Sequence, residues 1–310
     1  MVVPARDAAH LIGPLLAALE EQRGAPDWEL VVVDNGSRDD TARVAERSPA
    51  CTRVLRRPRG QGPGPARDAG VAASRGRLLA FVDADCRPTP GWLAAGAEAL
   101  GGAGIVQGAV EPEPGVPIGP YDRTLSVAFD YGLYPAANLF VRRELFERLG
   151  GFDDPFPQPG GRPFGEDAWL VWRARRAGET AAFSRDALVH HAVLPGGARD
   201  YLAEHVRAGL FPGLVAQIPE LREAFCYRRW FHSPRSAAFD LAALGALAAV
   251  RSRRAAPLLA ALPYARAVAA DARRFGPGRA PGVAAVRVAG DALAAAALAV
   301  GSLRARTLLL

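Results

Sequence analysis

The chain has 310 residues, and half of them are apolar, which is enough for one large α/β domain with an appendage. Its 38 basic residues are all arginine and outnumber the 32 acidic residues, so the net charge of +6 fits an anionic substrate or an anionic membrane surface. The arginines are scattered and no nucleic-acid-binding motif accompanies them, which argues against a nucleic-acid partner. Three distant cysteines, Cys51, Cys86 and Cys226, form neither a disulfide framework nor a zinc pattern, so we expect a reducing, cytosolic setting.

Strand and helix patterns alternate over the first 85 residues, which predicts a doubly wound, mainly parallel sheet with helices on its faces. Short apolar runs predict the strands, and leucine and isoleucine residues at helical spacing predict the first helix. Asp39 or Asp40 is suited to cap the second helix. In chain order, the predicted elements are a strand at 2–4, a helix at 8–23, a strand at 28–33, a helix at 41–47, a strand at 54–55 and a strand at 78–82.

Two aspartates, Asp83 and Asp85, directly follow the apolar run Leu78–Val82. In an open α/β sheet, ligands bind in the crevice beyond the carboxyl ends of the strands, and residues two apart in extended chain point to the same side. Paired carboxylates at such a point suit a hard cation such as Mg²⁺ or Mn²⁺. A solvated acidic turn at the end of the strand is the alternative, because acidic residues are common in turns.

A glycine-rich stretch at 59–70 precedes the strand that ends at Asp83. Glycine lets the backbone approach a ligand closely, and we expect Arg67 to open a helix, where an anion is favoured. A flexible connector also explains a lone glycine-rich loop. The second predicted strand likewise stops at an aspartate, Asp34, in the turn sequence Asp-Asn-Gly.

The region from 92 to 191 continues the pattern, with more proline and glycine in its loops. Glu166 and Asp167 begin a predicted helix, where the helix dipole stabilises acidic side chains, so capping alone would explain the pair. Two histidines, His190 and His191, end a short apolar run. The predicted elements are a helix at 92–100, a strand at 105–110, a loop at 111–120, a glycine helix C-cap at 150–151, a loop over the cleft at 154–165, a helix at 168–177 and a strand at 187–189.

From Ala237 the composition shifts to alanine, leucine, valine and arginine. Three apolar stretches, Ala237–Val250, Ala255–Ala265 and Ala284–Leu303, are short or interrupted by charges, so none is a clean membrane span. We expect helices that lie in a membrane interface, with their arginines toward the head groups. A soluble helical appendage, a dimer face and a short re-entrant hairpin are the alternatives.

Four sequence blocks occur in the order and spacing of a known enzyme family. They are Val-Val-Pro-Ala-Arg-Asp at 2–7, Val-Val-Val-Asp-Asn-Gly-Ser-Arg-Asp-Asp-Thr at 31–41, Ala-Arg-Asp-Ala-Gly at 66–70 and Phe-Val-Asp-Ala-Asp at 81–85. Together they resemble the family 2 glycosyltransferases with the GT-A fold, although Asp68 stands where the family usually has asparagine. The likeness covers the first 90 residues and extends to about residue 195.

The resemblance implies a Rossmann-like, mostly parallel sheet flanked by helices. It implies a GT-A domain over 1–232, whose nucleotide-binding half is 1–100 and whose acceptor half is 101–232. The remaining residues, 233–310, would form a helical region rich in alanine, leucine and arginine.

The resemblance also implies roles for single residues. Asp83 and Asp85 would bind Mg²⁺ or Mn²⁺ on the donor diphosphate, with His191 as a further ligand. Asp167 is the implied general base and Glu166 would orient or bind the acceptor, because an attacking hydroxyl must lose a proton as its bond forms. The residues implied to hold the nucleotide are Pro4, Ala5, Arg6, Asp34, Arg67 and Asp83.

The implied activity is metal-assisted, inverting transfer of a sugar from a nucleoside diphosphate sugar to an acceptor hydroxyl. Residues 226–232 lack the Gln-x-x-Arg-Trp motif of processive members, so we expect single transfer. We expect a cytoplasmic enzyme at the inner face of the cell membrane. Its acceptor would be lipid-linked or a glycan, in cell-envelope polysaccharide, glycolipid or natural-product glycosylation.

Two other functions stay open at this point. One is a catalytically inactive binding or scaffold protein of the same fold. The other is a nucleotidyltransferase, for which we expect a glycine-rich, basic loop after the first strand, where this chain has Pro4-Ala5-Arg6-Asp7.

Overall fold

The computed structural model of the chain describes residues 1–58, 61–153 and 164–310. The contacts divide it into two compact units. The first comprises Met1–Val116 and Thr124–Val193, and the second comprises Pro117–Arg123 and Leu194–Leu310. We expected the domain boundary at residue 232, where the composition changes. In the structure, residues 194–232 belong to the same unit as the C-terminal helices, because the helices at 198–217 pack against the last helix.

One mixed sheet forms the centre of the first unit. Its eight strands, within the described residues, are β1 (Val2–Ala5), β2 (Val31–Asp34), β3 (Arg53–Arg56), β4 (Leu78–Val82), β5 (Cys86–Pro88), β6 (Ile105–Pro112), β7 (Asn138–Arg142) and β8 (Ala181–His191). Their order across the sheet is β3-β2-β1-β4-β7-β6-β8-β5. The pairs β1–β2, β2–β3, β1–β4 and β6–β8 are parallel. The pairs β4–β7, β6–β7 and β5–β8 are antiparallel.

Burial explains the inner position of the first strands. All four residues of β2 and the last four of β4 are buried, so both faces of these strands are covered. Ala5 pairs with Asp34 at the ends of β1 and β2, which brings the loops after these strands together. The loop that begins at Asp83 lies at the same edge, because β4 runs parallel to β1. This carboxyl edge is where a ligand site is expected in an open α/β sheet.

The helices of the first unit differ from the sequence prediction mainly at their starts. The first helix begins at Ile12 rather than at residue 8, because the Ala8 carbonyl accepts hydrogen bonds from the N–H groups of Leu11 and Ile12 in a preceding turn. The helices described there are α1 (Ile12–Glu20), α2 (Thr41–Glu46), α3 (Pro63–Ala72), α4 (Trp92–Ala99), α5 (Arg143–Leu149) and α6 (Glu166–Arg176). The loop expected over the cleft lies outside the described residues, apart from Phe164 and Gly165.

Helix α3 corrects one prediction about Arg67. The helix begins at Pro63, because proline favours the first helical position, where no N–H group is required. Arg67 therefore lies in the interior of α3 and not at its N-terminus.

Strand β8 is longer than its sequence suggests. It extends over eleven residues, where the apolar run alone predicts three, because β6 pairs with it on both sides of a register shift between Gly108 and Val110. A buried asparagine, Asn138, fixes β7 beside these strands. Its Nδ2 donates to the carbonyls of Ala109 and Ala187, at 2.8 and 2.7 Å.

The second unit is helical in its described residues. Its elements are α7 (Ala198–Val206), a 3₁₀ turn (Arg207–Leu210), α8 (Phe211–Gln217), α9 (Leu221–Ala224), α10 (Pro234–Ser252), a 3₁₀ segment (Ala256–Ala261), α11 (Leu262–Arg273) and α12 (Ala280–Ala305). By length and composition, α12 is long and apolar enough to cross a membrane, a test that core helices of soluble proteins also meet. The predicted apolar stretch Ala284–Leu303, which Arg287 and Asp291 interrupt, lies within α12, and the helix extends past it at both ends.

Two charged residues of α12, Arg287 and Asp291, have partners on other helices of the second unit. The carboxylate of Asp291 accepts hydrogen bonds from Nε of Arg235 at 2.9 Å and from the hydroxyl of Tyr264 at 2.6 Å. Nε of Arg287 lies 2.9 Å from a carboxylate oxygen of Asp271. These contacts tie α12 to α10 and α11.

Candidate functional site

A cleft of about 380 Å³ opens where the loops after β1, β2 and β4 meet. The parallel pairing of these strands brings together residues that are far apart in sequence. Six residues predicted for the site line the cleft, namely Pro4, Ala5, Arg6, Arg67, Asp83 and Asp85. The cleft is also lined by Ala8, Leu11, Asn35, Gly62, Pro63 and Ala84.

The structure gives different surroundings to Asp34 and its neighbour Asn35. Asp34 is buried, and its Oδ1 accepts a hydrogen bond from the N–H of Ser37 at 2.9 Å, which stabilises the turn. Asn35 lines the cleft, and its Nδ2 donates to the carbonyl of Gly62 at 2.8 Å. The sequence pattern indicates only turn chemistry at Asn35, although a polar side chain directly after a strand was a signal for a site residue.

Arg67 lies at the centre of an acidic cluster. Only 5% of its side chain is exposed, and its Nη2 donates to Oδ1 of Asp83 at 2.6 Å. Its Nη1 lies 3.8 Å from Oε1 of the buried Glu166. Burial by itself lowers the pKa of the guanidinium, but the negative charges of Asp83, Glu166 and Asp167 outweigh this effect and raise the pKa. Arg67 therefore stays charged and connects the end of β4 with the start of α6.

Asp167 is half-buried at the first turn of α6. Its carboxylate accepts hydrogen bonds from the N–H groups of Ala136 at 3.1 Å and Ala168 at 2.8 Å. Loss of solvent raises the pKa of this carboxyl group, and the charge of Arg67 opposes part of the rise. Burial and the charge of Asp167 raise the pKa of Tyr131 to about 12, which keeps that hydroxyl neutral. Asp167 thus has the raised basicity that a proton acceptor needs.

A candidate metal-binding group lies beside the cleft and is formed by residues of β5, β8 and the turn before β5. Asp85, Cys86 and His191 each offer a ligand atom, and the three atoms lie within 4.8 Å of one another. The antiparallel pairing of β5 with β8 sets Cys86 opposite His191. Nε2 of His191 lies 3.5 Å from Oδ2 of Asp85, and its Nδ1 lies 2.8 Å from the carbonyl oxygen of Ala192.

The donor chemistry of this group fits Mn²⁺ or Mg²⁺ through Asp85 and His191. A proton on Nδ1 of His191, donated to the carbonyl of Ala192, leaves Nε2 free to accept a cation. Burial and the nearby carboxylates raise the pKa of the Cys86 thiol well above its usual value, so the thiol stays neutral. Asp83, which we also predict as a ligand, accepts a hydrogen bond from Arg67 at its Oδ1. Sequence reasoning missed Cys86, whose only signal was its place next to Asp85.

Comparison with known sequences identifies the family. The sequence model of the family described as "Glycosyl transferase family 2" matches residues 1–150. The chain is 30% identical over 223 residues to "Glycosyltransferase AglE" of Haloferax volcanii. This alignment covers 67% of this chain and 71% of that protein. It is also 29% identical to the "Pre-mycofactocin glycosyltransferase" of Mycobacterium tuberculosis, over 62% of this chain and 42% of that longer protein.

Comparison with solved structures identifies the fold. "Mannosyltransferase PcManGT from Pyrobaculum calidifontis in complex with GDP-Man and Mn2+" aligns with 98% of this chain and 86% of its own, with a TM-score of 0.56 and 22% identity. S. aureus TarS in complex with UDP-GlcNAc aligns with 99% of this chain and 91% of its own, with a TM-score of 0.53 and 17% identity. The mixed sheet and its flanking helices form a GT-A-like α/β fold, and the chain has a C-terminal helical region in addition. The chain therefore belongs to glycosyl transferase family 2, and it is a glycosyltransferase.

Proposed function

We propose that the protein transfers a sugar from a nucleoside diphosphate sugar to an acceptor hydroxyl, with inversion at the transferred carbon. The observation that carries the proposal is the cluster around Arg67, which joins Asp83 in the cleft to Glu166, next to Asp167. The buried guanidinium of Arg67 thus links the donor cleft to the segment that carries the basic carboxylate of Asp167. The GDP-Man and UDP-GlcNAc complexes of the two structural relatives support a nucleoside diphosphate sugar as the donor class.

The donor nucleotide would occupy the cleft between the loops after β1 and β4. Pro4, Ala5 and Arg6 would contact the base and ribose, while Asp34 holds its turn through Ser37. Arg67 would act mainly on Asp83, because its guanidinium already donates to that carboxylate. It would orient Asp83 toward the donor.

A divalent cation would assist the transfer. Asp85 and His191 would hold Mg²⁺ or Mn²⁺, with Asp83 nearby on Arg67. When bound, such a cation neutralises the negative charge of a leaving diphosphate. Oxygen and imidazole ligands suit Mn²⁺ well, and the Mn²⁺ complex of PcManGT supports a metal of this class.

Asp167 would accept the proton of the attacking hydroxyl. The N–H groups of Ala136 and Ala168 fix its carboxylate, and the loss of solvent raises its pKa above the value of an ordinary aspartate. Glu166 would orient the acceptor while it balances the charge of Arg67. A base on the side of the sugar opposite the leaving group gives inversion.

The acceptor would be a lipid-linked sugar or a glycan in cell-envelope, glycolipid or natural-product glycosylation. We propose that the protein works in the cytoplasm at the inner face of the cell membrane, with peripheral contact through its C-terminal helices. Apolar residues are exposed on several of these helices, including Leu244, Leu259 and Leu303.

A donor screen tests the proposed function. The purified protein is incubated with Mn²⁺ and a panel of nucleoside diphosphate sugars, and the release of nucleoside diphosphate is measured with and without sugar acceptors. Turnover of at least one donor, with nucleoside diphosphate as the product, is the expected result. Binding of donors without any turnover would favour an inactive binding protein. In a parallel incubation with nucleoside triphosphates and sugar 1-phosphates, release of pyrophosphate would identify a nucleotidyltransferase.

A further inference from the structure

The second unit carries a helical hairpin whose outer surface is apolar. This apolar hairpin, residues 241–262, consists of the second half of α10, the turn after it, the 3₁₀ segment Ala256–Ala261 and Leu262, the first residue of α11. Its two arms pack closely at Gly245, where an added Cβ would lie 2.6 Å from the carbonyl oxygen of Pro257. The large side chains therefore point outward, with exposed fractions of 48%, 64%, 65%, 78%, 49%, 66% and 46% for Leu241, Leu244, Leu247, Val250, Leu258, Leu259 and Leu262.

All charged residues of the apolar hairpin are positively charged. Arg251, Arg253 and Arg254 lie at its turn, and all three are exposed. Arg253 ends α10 in a left-handed conformation, with φ of 54°, so the chain reverses direction among these arginines. The sequence contains no acidic residue between 241 and 270. An apolar surface next to three unopposed positive charges complements an anionic surface that also offers hydrocarbon.

We infer that the apolar hairpin lies in the head-group region of an anionic lipid bilayer. This inference deepens the membrane contact of the proposed function and rests on it for the cellular location. The apolar side chains on α10 are three residues apart in sequence. Each therefore lies about 60° around the helix axis from the one before, and the four together cover about half of the helix circumference. A helix that docks into a protein groove presents a narrower stripe, whereas a bilayer accepts apolar surface of any width.

The arginines decide how the hairpin lies. Insertion with the turn first would carry three guanidinium groups into the hydrocarbon, where arginine is strongly disfavoured. A hairpin lying along the surface keeps Arg251, Arg253 and Arg254 beside lipid phosphates while its leucines reach the acyl boundary. The hairpin therefore lies in the plane of the interface.

Vesicle co-sedimentation tests the inference on the full chain. The protein should sediment with vesicles of phosphatidylglycerol mixed with phosphatidylcholine, and much less with phosphatidylcholine alone. The variant R251Q/R253Q/R254Q should bind anionic vesicles about a hundredfold more weakly, since each arginine near the surface contributes about fivefold. The variant L244Q/L247Q should bind them about tenfold more weakly or worse, because it loses the apolar contact.

A matched control separates local charge from net charge. The variant R23Q/R47Q/R185Q removes three exposed arginines of the first unit and should bind like the wild type. Circular dichroism melting should be unchanged in all variants. Equal loss of binding in this control, equal binding to neutral vesicles, or no binding to any vesicle would overturn the inference. A dimer in sedimentation velocity that L244Q/L247Q dissociates, without vesicle binding, would assign the surface to a second copy.

The same preparations keep this inference separate from the proposed function. Each is assayed for turnover of nucleoside diphosphate sugar with soluble acceptors. Vesicle binding without turnover keeps the inference and rejects the transferase assignment. Turnover without vesicle binding keeps the transferase assignment and rejects the inference about the apolar hairpin.

Discussion

Asp167 carries the sharpest prediction at the scale of single residues. Because loss of solvent raises its pKa, the inactive protonated form persists to higher pH than for an ordinary aspartate. Transfer by the wild type should rise with pH through that pKa and then level off. Asp167→Asn should lower kcat by about a hundredfold or more, because the base is lost, with nucleotide affinity nearly unchanged by calorimetric titration. Wild-type turnover in this variant would reject Asp167 as the general base. The matched control is Asp186→Asn, an exposed change on β8 that should leave kcat unchanged.

Asp68 gives a prediction about stability. Its Oδ1 accepts the N–H of Phe152 at 3.0 Å, and an asparagine oxygen can accept the same bond. Loss of solvent raises the pKa of Asp68 above 3.8, so the ionised form destabilises the fold. Asp68→Asn, the residue usual in the family, should therefore raise the free energy of unfolding at neutral pH. The gain should be only a few tenths of a kcal/mol, because solvent screens a half-buried group, and it should show as a small rise in Tm.

The pH dependence of that gain follows from the sign of the shift. A raised pKa in the folded state means that the wild type loses stability as pH rises from about the unfolded value of 3.8 through the folded value. The gain of Asp68→Asn should be complete above the folded pKa and should vanish below the unfolded one. Thermal melts at a series of pH values check this, and a gain that stays constant at low pH would rule out the ionisation as its cause.

At the scale of elements, Asn138 holds β7, β6, β8 and α4 together. Its side chain satisfies the carbonyls of Ala109 and Ala187 and the indole N–H of Trp92, all within 2.8 Å. Asn138→Ala leaves these buried groups without a partner, so the free energy of unfolding should fall by about 3 kcal/mol or more. Urea unfolding measures this, with the exposed change Glu98→Ala as a control that should stay within about 0.5 kcal/mol. A loss below about 1 kcal/mol would mean that water replaces the amide.

The longer strand β8 shows how elements complete the site. Its end carries His191, which reaches Asp85 only because β5 pairs with β8 in the observed register. A shift by one residue would turn His190 toward that position and move His191 to the other face. The choice between the two adjacent histidines thus depends on strand pairing, and the observed register places His191 next to Asp85.

At the scale of the whole molecule, ligand binding should stabilise the fold in a metal-dependent way. With Mn²⁺ present, a nucleoside diphosphate at about 100 times its Kd should raise stability by about 2.7 kcal/mol, or about 5 °C in Tm. EDTA should remove most of this rise. Asp85→Ala should do the same, whereas the exposed change Asp186→Ala should not. An equal shift in EDTA would show that no metal takes part in nucleotide binding. Thermal-shift fluorimetry is the measurement.

The sequence alone determined the features that depend on neighbouring residues. Apolar runs at β1, β2 and β4, the aspartates at the ends of β2 and β4 and the acidic start of α6 can all be recognised locally, because strand and helix periods act over a few residues. The four motif blocks were enough to predict the family, which the comparisons confirmed. The GT-A-like fold was predicted with them, although its sheet is more mixed than expected, because β7 enters it antiparallel to both neighbours.

Only the tertiary structure decided which groups meet. Arg67 was expected to face an anionic ligand, but its guanidinium binds Asp83 and approaches Glu166, which is 99 positions later in the chain. Asn35 rather than Asp34 lines the cleft, and Cys86 joins Asp85 and His191. Contacts of this kind depend on strand order, register and burial across distant segments, so the pattern of neighbouring residues does not specify them.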